Sequence, residues 1–206
     1  LLDWRSEINL RTEDYIFRYD PEWFWNLPDT LFYKLYRKYA PAQYRNSGFF
    51  TKYVAWRDQL NRKFFGNRPK PTEPLIQDWE VPWDKGAELI EFCLENVDLG
   101  GLPWAAVPIR SPRTPTIYPI RANELYFNLG CYCQVDKVPG KGDYHYTRIM
   151  DEKCFELDGI KMLYSSTFLD EDEFNRRFNG SEYAKLKEKY DPNGHAQTLF
   201  AKVSAA

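Results

Sequence analysis

The sequence contains few of the residues from which metal sites and nucleophilic triads are built. Only two histidines are present, His145 and His195, and they lie fifty residues apart. The four cysteines do not have the spacing of a zinc site, so we expect them to be small, buried side chains. No G-x-G-x-x-G, P-loop or H-E-x-x-H motif occurs. The chain therefore offers no self-contained catalytic motif, and we predict no metal site.

Long hydrophobic runs are also missing. No apolar stretch approaches the ~20 residues that a membrane-spanning helix needs, and no signal peptide opens the chain. We therefore expect a cytoplasmic or membrane-associated protein with reduced thiols. The chain begins Leu1-Leu2-Asp3 without an initiator methionine, which predicts a fragment or a processed chain.

Aromatic residues, in contrast, are abundant. They make up 17% of the 206 residues, with seven Trp, fifteen Tyr and fourteen Phe. This length allows one ordinary domain plus a sizeable extra segment. Because so much aromatic surface is hard to bury in one small domain, we expect part of it to meet a partner domain, a ligand or a membrane surface.

Positive charge is concentrated in residues 31–70. This segment holds ten Lys or Arg residues against one acid, Asp58, so its net charge is +9 and that of the remaining chain is −11. A basic, aromatic-rich segment suits phosphates, an anionic lipid surface or the acidic face of another domain. Solvated charges on amphipathic helices are the alternative interpretation.

Residues 1–72 are predicted to form an irregular, largely helical segment that is aromatic and basic. Three elements are expected in it: a short strand over residues 14–19, a helix over 28–39 and a longer helix over 49–65. Glycine and proline in residues 66–71 then predict a linker. A second domain is expected over residues 73–206.

The second domain has the periodicity of two successive strand–helix–strand units. The expected elements are a strand over residues 74–81, a helix over 83–97, strands over 102–109 and 124–134, a helix over 144–157 and a strand over 160–168. A ferredoxin-like split βαβ is the simplest fold with that order. We therefore predict an α+β fold whose antiparallel sheet carries its helices on one face, followed by short helices capped by Asp170 and Ser181.

The strand over residues 124–134 has two unlike faces. Its odd-numbered residues are apolar and belong against the helices, whereas its even-numbered residues include Tyr126, Asn128 and Tyr132 around Gly130. This second face combines aromatic rings, hydrogen-bonding groups and a glycine that lets another group approach the backbone. We interpret it as a ligand or domain contact, with an ordinary open face as the alternative.

Two further places could carry chemistry. On the strand over residues 74–81, Asp78 and Glu80 share a face next to Gln77, and such carboxylates serve acid–base work or pair with basic groups of another domain. Tyr164 lies between apolar neighbours in the last predicted strand. Its hydroxyl could act as a hydrogen-bond or proton donor, or could satisfy a carbonyl in the core.

Short matches to one enzyme family run in order along the second domain. They are Gln77-Asp78, Val81-Pro82, Pro108-Ile109, Asn123-Glu124-Leu125-Tyr126, Gly130-x-Tyr132, Met162-Leu163-Tyr164, Glu173-Phe174 and Phe178-x-Gly180-Ser181-x-Tyr183. Together they resemble the C-terminal half of the Δ24-sterol reductase (Diminuto-like) group of FAD-dependent oxidoreductases, within the vanillyl-alcohol-oxidase-type flavoprotein superfamily. Residues 1–72 resemble the family only loosely.

The resemblance implies a cap domain that covers the flavin ring and frames a substrate cavity. FAD would be bound mainly by an N-terminal FAD-binding domain, which is absent from this chain and would be supplied by the same gene or by a separate chain. Tyr164 would then be catalytic, and the residues facing flavin or substrate would be Tyr126, Asn128, Tyr132, Gln77, Asp78 and Glu80. The implied reaction is hydride transfer between the flavin and a hydrophobic substrate, such as a sterol, with NADPH as electron donor.

Other functions remain open at this point. Related flavoproteins oxidise an alcohol instead, and a non-catalytic ferredoxin-like domain for small-molecule sensing or subunit interaction would have the same strand order. An RNA-recognition domain also has that order, but the second domain is acidic and lacks the expected aromatic motif, so we predict no nucleic-acid partner. Residues 31–70 would suit either a membrane surface or the FAD-binding domain.

Overall fold

A computed structural model of the chain describes residues 9–16, 31–65 and 70–204. The chain divides into two compact units. The first comprises Leu1–Pro69 with Gly101–Pro103, and the second comprises Lys70–Gly100 with Trp104–Ala206.

The described part of the first unit is helical. Its elements are α1 (Thr12–Ile16), α2 (Leu31–Tyr39), a 3₁₀ turn (Ala42–Tyr44) and α3 (Ser47–Phe65). The side chain of Asn46 caps α3 by accepting a hydrogen bond from the backbone N–H of Phe49 at 2.8 Å. Tyr33 and Tyr36 of α2 pack against the buried ring of Phe50, with ring centroids 5.9 and 6.5 Å away.

The strand predicted over residues 14–19 is wrong where the structure describes it. Residues 14–16 belong to α1, because the guanidinium of Arg11 pairs with Asp14 at 2.8 Å and the N–H of Tyr15 donates to the carbonyl of Arg11. A short apolar alternation cannot distinguish a strand from a helical turn. Residues 17–19, the predicted helix start at 28–30 and linker residues 66–69 lie outside the described residues.

The second unit is built on a four-stranded antiparallel sheet in the order β2-β3-β1-β4. Its strands are β1 (Thr72–Pro82), β2 (Ala105–Arg110), β3 (Leu125–Asp136) and β4 (Ile160–Lys161), and its crossover helices are α4 (Gly86–Asn96) and α5 (His145–Glu156). The strands of each strand–helix–strand unit therefore enclose one strand of the other unit. The predicted α+β fold with an antiparallel sheet is confirmed, and the ferredoxin-like assignment stays a prediction.

The two crossover helices lie on the same face of the sheet, which we call the helix face. Leu75, Trp79 and Val81 of β1 are fully buried on this face, together with Leu89 of α4 and Met150 of α5. The helix face also holds a buried ion pair, in which Lys161 Nζ lies 2.6 Å from Asp151 Oδ2. The indole N–H of Trp79 donates to the other oxygen of Asp151 at 2.8 Å, which ties α5 to β1.

Tail helices cover part of the opposite face of the sheet, which we call the second face. These helices are α6 (Glu171–Arg177), α7 (Gly180–Tyr190) and α8 (Leu199–Val203). Phe174, Phe178 and Val203 form a buried cluster there with Tyr126 of β3 and Ile160 of β4. The sequence predicts α6 and α7, but it predicts neither α8 nor the face on which these helices pack.

The fourth strand is much shorter than the predicted residues 160–168. Only Ile160 and Lys161 pair with β1, and the N–H of Met162 adds one last backbone hydrogen bond, to the carbonyl of Asp78 at 3.0 Å. Side chains then bind the carbonyl groups that follow. Lys161 Nζ donates to the carbonyl of Ser166 at 2.9 Å, and Gln77 Nε2 donates to the carbonyl of Met162 at 2.9 Å. Tyr164 therefore lies on a turn and not on a strand, which corrects the sequence prediction.

One of the two predicted helix caps is confirmed. The side chain of Asp170 accepts a hydrogen bond from the N–H of Glu173 at 2.8 Å at the start of α6. The cap predicted at Ser181 is wrong, because α7 begins at Gly180, after Asn179, and Ser181 is its second residue. Asn179 adopts a left-handed conformation with φ 51° and donates its side-chain amide to the carbonyl of Thr116.

Candidate functional site

The second face brings together four of the residues that the sequence singles out. The register of β1 and β3 pairs Asp78 with Gly130 and Glu80 with Asn128, and Tyr132 follows on the same face of β3. Because side chains alternate along a strand, all of them lie opposite the helix face. Two tyrosines from outside these strands complete two clusters. Tyr164 joins Asp78 and Tyr132 in an outer cluster, and Tyr118 joins Glu80 and Asn128 in an inner cluster.

The outer cluster is a hydrogen-bonded chain of two phenols ending on a carboxylate. Tyr164 donates its hydroxyl proton to the Tyr132 oxygen at 3.2 Å, and Tyr132 donates to Asp78 Oδ2 at 2.6 Å. The two rings are stacked, with centroids 6.3 Å apart. Tyr164 is 52% exposed and Tyr132 is 37% exposed, so the chain ends at solvent.

The pKa values of both phenols are raised, so both stay protonated near neutral pH. Burial raises the pKa of Tyr164, and its hydrogen bond to Tyr132 and the charge of Asp78 raise it further. The pKa of Tyr132 is raised by burial and by its bond to Asp78. Near neutral pH both phenols are therefore neutral, their protons lie within the chain that ends on Asp78, and the Tyr164 oxygen can accept a further hydrogen bond.

Gly130 makes room for Asp78 and not for an external ligand. A Cβ added to Gly130 would lie 1.7 Å from Asp78 Oδ1 and 3.3 Å from the backbone oxygen of Gln77. The carboxylate therefore occupies the space that the missing side chain leaves. The expectation that another group approaches the strand here is right, but that group belongs to the neighbouring strand.

The inner cluster surrounds a buried carboxylate. Glu80 has no exposed surface, and its two oxygens accept hydrogen bonds from Asn128 Nδ2 at 2.7 Å and from the hydroxyl of Tyr118. Burial raises the pKa of Glu80 to about 7 and outweighs both hydrogen bonds, which lower it. Glu80 can therefore change protonation near neutral pH while its donors keep it in place.

Sequence analysis does not identify Tyr118 as part of this site. Tyr118 lies in the proline-rich connection between β2 and β3, where no periodicity shows which way a side chain points. Its hydroxyl reaches Glu80, which is 38 residues earlier in the chain. An aromatic residue held between Ile117 and Pro119 is the only signal that the sequence offers.

Two other predicted site residues lie away from both clusters. Gln77 is fully buried on the helix face and bonds to the carbonyl of Met162 and to the hydroxyl of Ser165, so it supports the turn that carries Tyr164. Tyr126 is on the second face but is buried in the cluster of Phe174 and Phe178. Both are structural residues in this fold, which corrects the expectation that they face a ligand.

An open cavity of about 510 Å³ lies beside the outer cluster. Ile76, Leu163 and Phe168 give it apolar walls, and Tyr164, Ser165 and Lys202 contribute polar groups. Cavities of this size and character hold small organic ligands. The exposed Tyr164 hydroxyl is therefore next to a space that a hydrophobic small molecule can fill.

Metal ligation and membrane spanning are both unsupported in the described part of the chain. Within residues 9–16, 31–65 and 70–204, no group of three or more His, Cys, Asp or Glu side chains could hold a metal ion. None of the helices described there is long and apolar enough to cross a bilayer. The four cysteines are free thiols, three of them buried and Cys133 half-buried.

Comparison with known proteins adds no assignment. No model of a known protein family matches the chain, and no curated protein matches it significantly. The resemblance to Δ24-sterol reductases therefore stays a prediction from the quoted residues.

Proposed function

We propose that the second unit is the substrate-covering part of an FAD-dependent oxidoreductase. The observation that carries the proposal is the hydroxyl chain from Tyr164 through Tyr132 to Asp78, which ends at the rim of the 510 Å³ cavity. An oriented phenol oxygen that can accept a hydrogen bond beside an apolar cavity is what a site needs to hold one hydroxyl group of a hydrophobic substrate.

The residues present fit one side of a flavin ring. Tyr132, Tyr164 and Ile76 are exposed side by side on the second face, so they offer a flat, partly polar surface to an aromatic ring. Among the described residues that line the cavity, Lys202 is the one cation, and FAD phosphates need more donors than that. We therefore assign the binding of the FAD phosphates to another domain.

Each residue of the outer cluster has a separate role in this proposal. FAD, when bound, supplies the hydride chemistry. Tyr164 gives its proton to Tyr132, so its oxygen accepts a hydrogen bond from a hydroxyl group of the substrate and orients the reacting carbon. Tyr132 and Asp78 are positioning residues, because they hold the Tyr164 hydroxyl through two successive hydrogen bonds.

The cavity walls favour a hydrophobic small molecule, and the resemblance suggests a sterol. A reductase that takes electrons from NADPH and an alcohol oxidase that passes them to oxygen would use the same Tyr164 hydroxyl to hold the substrate. Anaerobic bleaching of the flavin by NADPH identifies the reductase. Oxygen consumption that depends on an alcohol identifies the oxidase.

The test is Tyr164→Phe in the enzyme that contains both this chain and its FAD-binding domain. Loss of the orienting hydroxyl should lower kcat by about 10²-fold while the flavin content stays unchanged. Tyr190→Phe is the matched control, because Tyr190 is 73% exposed on α7 and lies outside the site. Unchanged turnover with a lower melting temperature would make Tyr164 a structural residue and contradict the assignment.

A titration with FAD tests whether another domain supplies most of the FAD site. This chain alone should show weak flavin binding or none, because it offers only one side of the ring site. Stoichiometric flavin in the purified chain would refute the assignment of the FAD phosphates to another domain. A non-catalytic binding domain is supported if the chain binds apolar ligands tightly and the flavin-containing enzyme shows no turnover.

A further inference from the structure

Helix α2 turns its apolar side chains outward. The helical period places Leu31, Leu35 and Tyr39 along one side with Phe32 at its edge, and all of them are exposed, Leu31 by 71% and Tyr39 by 68%. The opposite side is occupied by Tyr33 and Tyr36 against Phe50. The helix is therefore anchored through its tyrosines, and its most apolar side faces outward.

Helix α3 continues this exposed surface. Trp56 is 58% exposed and Phe64 is 68% exposed, and the helical period places both on the side of Tyr53. The Tyr53 ring stacks on Phe32 with centroids 6.4 Å apart and lies 6.3 Å from the Trp56 ring. The apolar sides of the two helices therefore join into one patch, the lysine–aromatic surface, which consists of Leu31, Phe32, Leu35, Tyr39, Trp56 and Phe64.

Lysines lie along the same surface. Lys34, Lys38, Lys52 and Lys63 are all exposed. The ammonium group of Lys38 lies 5.2 Å from the centroid of the Tyr39 ring, and that of Lys63 lies 5.7 Å from the Phe64 ring. In both pairs the lysine extends alongside the neighbouring aromatic side chain, with its charge at the outside.

We propose that the lysine–aromatic surface docks on an anionic membrane surface. Aromatic and leucine side chains enter the boundary between headgroups and acyl chains, while lysine stems lie along that boundary and keep their ammonium groups at the headgroups. The charge of the segment is complementary to such a surface, since residues 31–70 hold ten basic residues and one acid. The two helices lie in the plane of the bilayer surface and do not cross it.

The composition of the surface favours lipid over a protein partner. Protein interfaces are enriched in arginine and depleted in lysine. The arginines whose side chains are described in residues 31–65, Arg45 and Arg57, are half-buried, and Arg57 donates to the Tyr33 hydroxyl at 3.2 Å. Among the side chains described in residues 31–65, the exposed charges are lysines, which suit a fluid layer of anionic headgroups better than a fixed protein surface.

The test is co-sedimentation of the 206-residue chain with vesicles of phosphatidylcholine, alone or mixed with phosphatidylserine. Binding should require phosphatidylserine and should weaken as salt is raised. The double variant Lys38→Gln/Lys63→Gln should bind about 25-fold more weakly, since each lysine at the surface contributes roughly fivefold. Trp56→Ser should also reduce binding, and its Trp fluorescence change on adding vesicles should be smaller than that of the unmodified chain.

The control variant is Lys185→Gln/Lys189→Gln on α7. It removes the same charge from exposed lysines of the other unit, and Lys189 lies 5.1 Å from the Tyr190 ring in the same type of lysine–aromatic pair. It should leave vesicle binding unchanged. Three results would overturn the proposal: no binding to phosphatidylserine vesicles, an equal loss in the control, or a dimer in solution that Trp56→Ser dissociates.

Discussion

Replacement of Glu80 by glutamine tests the buried carboxylate of the inner cluster. Glu80 is fully buried, and its pKa is raised to about 7 from an ordinary value of 4.5. The fold therefore favours the protonated form, and the contribution of Glu80 to the free energy of unfolding is highest below about pH 4.5. This contribution falls as the pH rises towards about 7, because the unfolded chain ionises Glu80 while the folded protein keeps it protonated.

The size of this effect follows from the pKa difference. A rise from 4.5 to about 7 corresponds to about 3 kcal/mol of unfolding free energy, since each pKa unit is worth about 1.4 kcal/mol. Gln cannot ionise, so the Glu80→Gln variant does not show this fall in unfolding free energy as the pH rises. Relative to the unmodified protein, the variant should therefore gain about 3 kcal/mol of unfolding free energy between about pH 4 and about pH 8.

Urea unfolding at several pH values, followed by tryptophan fluorescence, measures this difference. His145 and His195 are present in both proteins, so their contributions cancel. The exposed Glu95→Gln on α4 serves as the control and should show no such trend. A second variant, Tyr118→Phe, should move the transition to higher pH because it removes a hydrogen bond that lowers the pKa of Glu80. An unfolding difference between Glu80→Gln and the unmodified protein that does not change with pH would refute the reasoning.

Two further substitutions test how the sheet is held together. Lys161→Met leaves the buried Asp151 carboxylate without its cation and should cost about 3–5 kcal/mol of unfolding free energy. The double variant Lys161→Met/Asp151→Asn should recover much of this loss. If urea unfolding shows the same loss in the single and the double variant, the two residues are not coupled. Gly130→Ala pushes its Cβ into Asp78 and should cost about 1–3 kcal/mol, with Asp78→Ala in the same chain relieving the clash. A Gly130→Ala protein whose urea unfolding is unchanged would mean that the carboxylate does not occupy this space.

Local patterns predict most of the second unit. The alternation along residues 124–134 predicts which side chains of β3 face the helices, and buried Leu129 and Cys131 confirm it. Apolar spacing of three and four residues likewise predicts the crossover helices. These predictions succeed because the side-chain direction in a strand or helix depends on the backbone period alone.

Predictions fail where the backbone leaves that period. Ile160–Lys161 is the only paired part of the fourth strand because Lys161 and Gln77 bond to backbone oxygens beyond it. The apolar residues 162–164 look like a strand in sequence, but the partner of the Met162 carbonyl is 85 residues away. Such a side chain has no local signal, so the position of Tyr164 follows only from the folded chain.

The two polar clusters show the same division. Strand alternation is enough to place Asp78 with Glu80 on one face of β1, and Asn128 with Tyr132 on one face of β3. The register of the two strands then puts all four on the same face of the sheet. Tertiary structure decides that Tyr118 closes over Glu80, that Tyr164 reaches Tyr132, and that tail helices bury Tyr126. The reason is physical: a repeating backbone orients side chains locally, whereas contacts between distant residues depend on how all the elements pack.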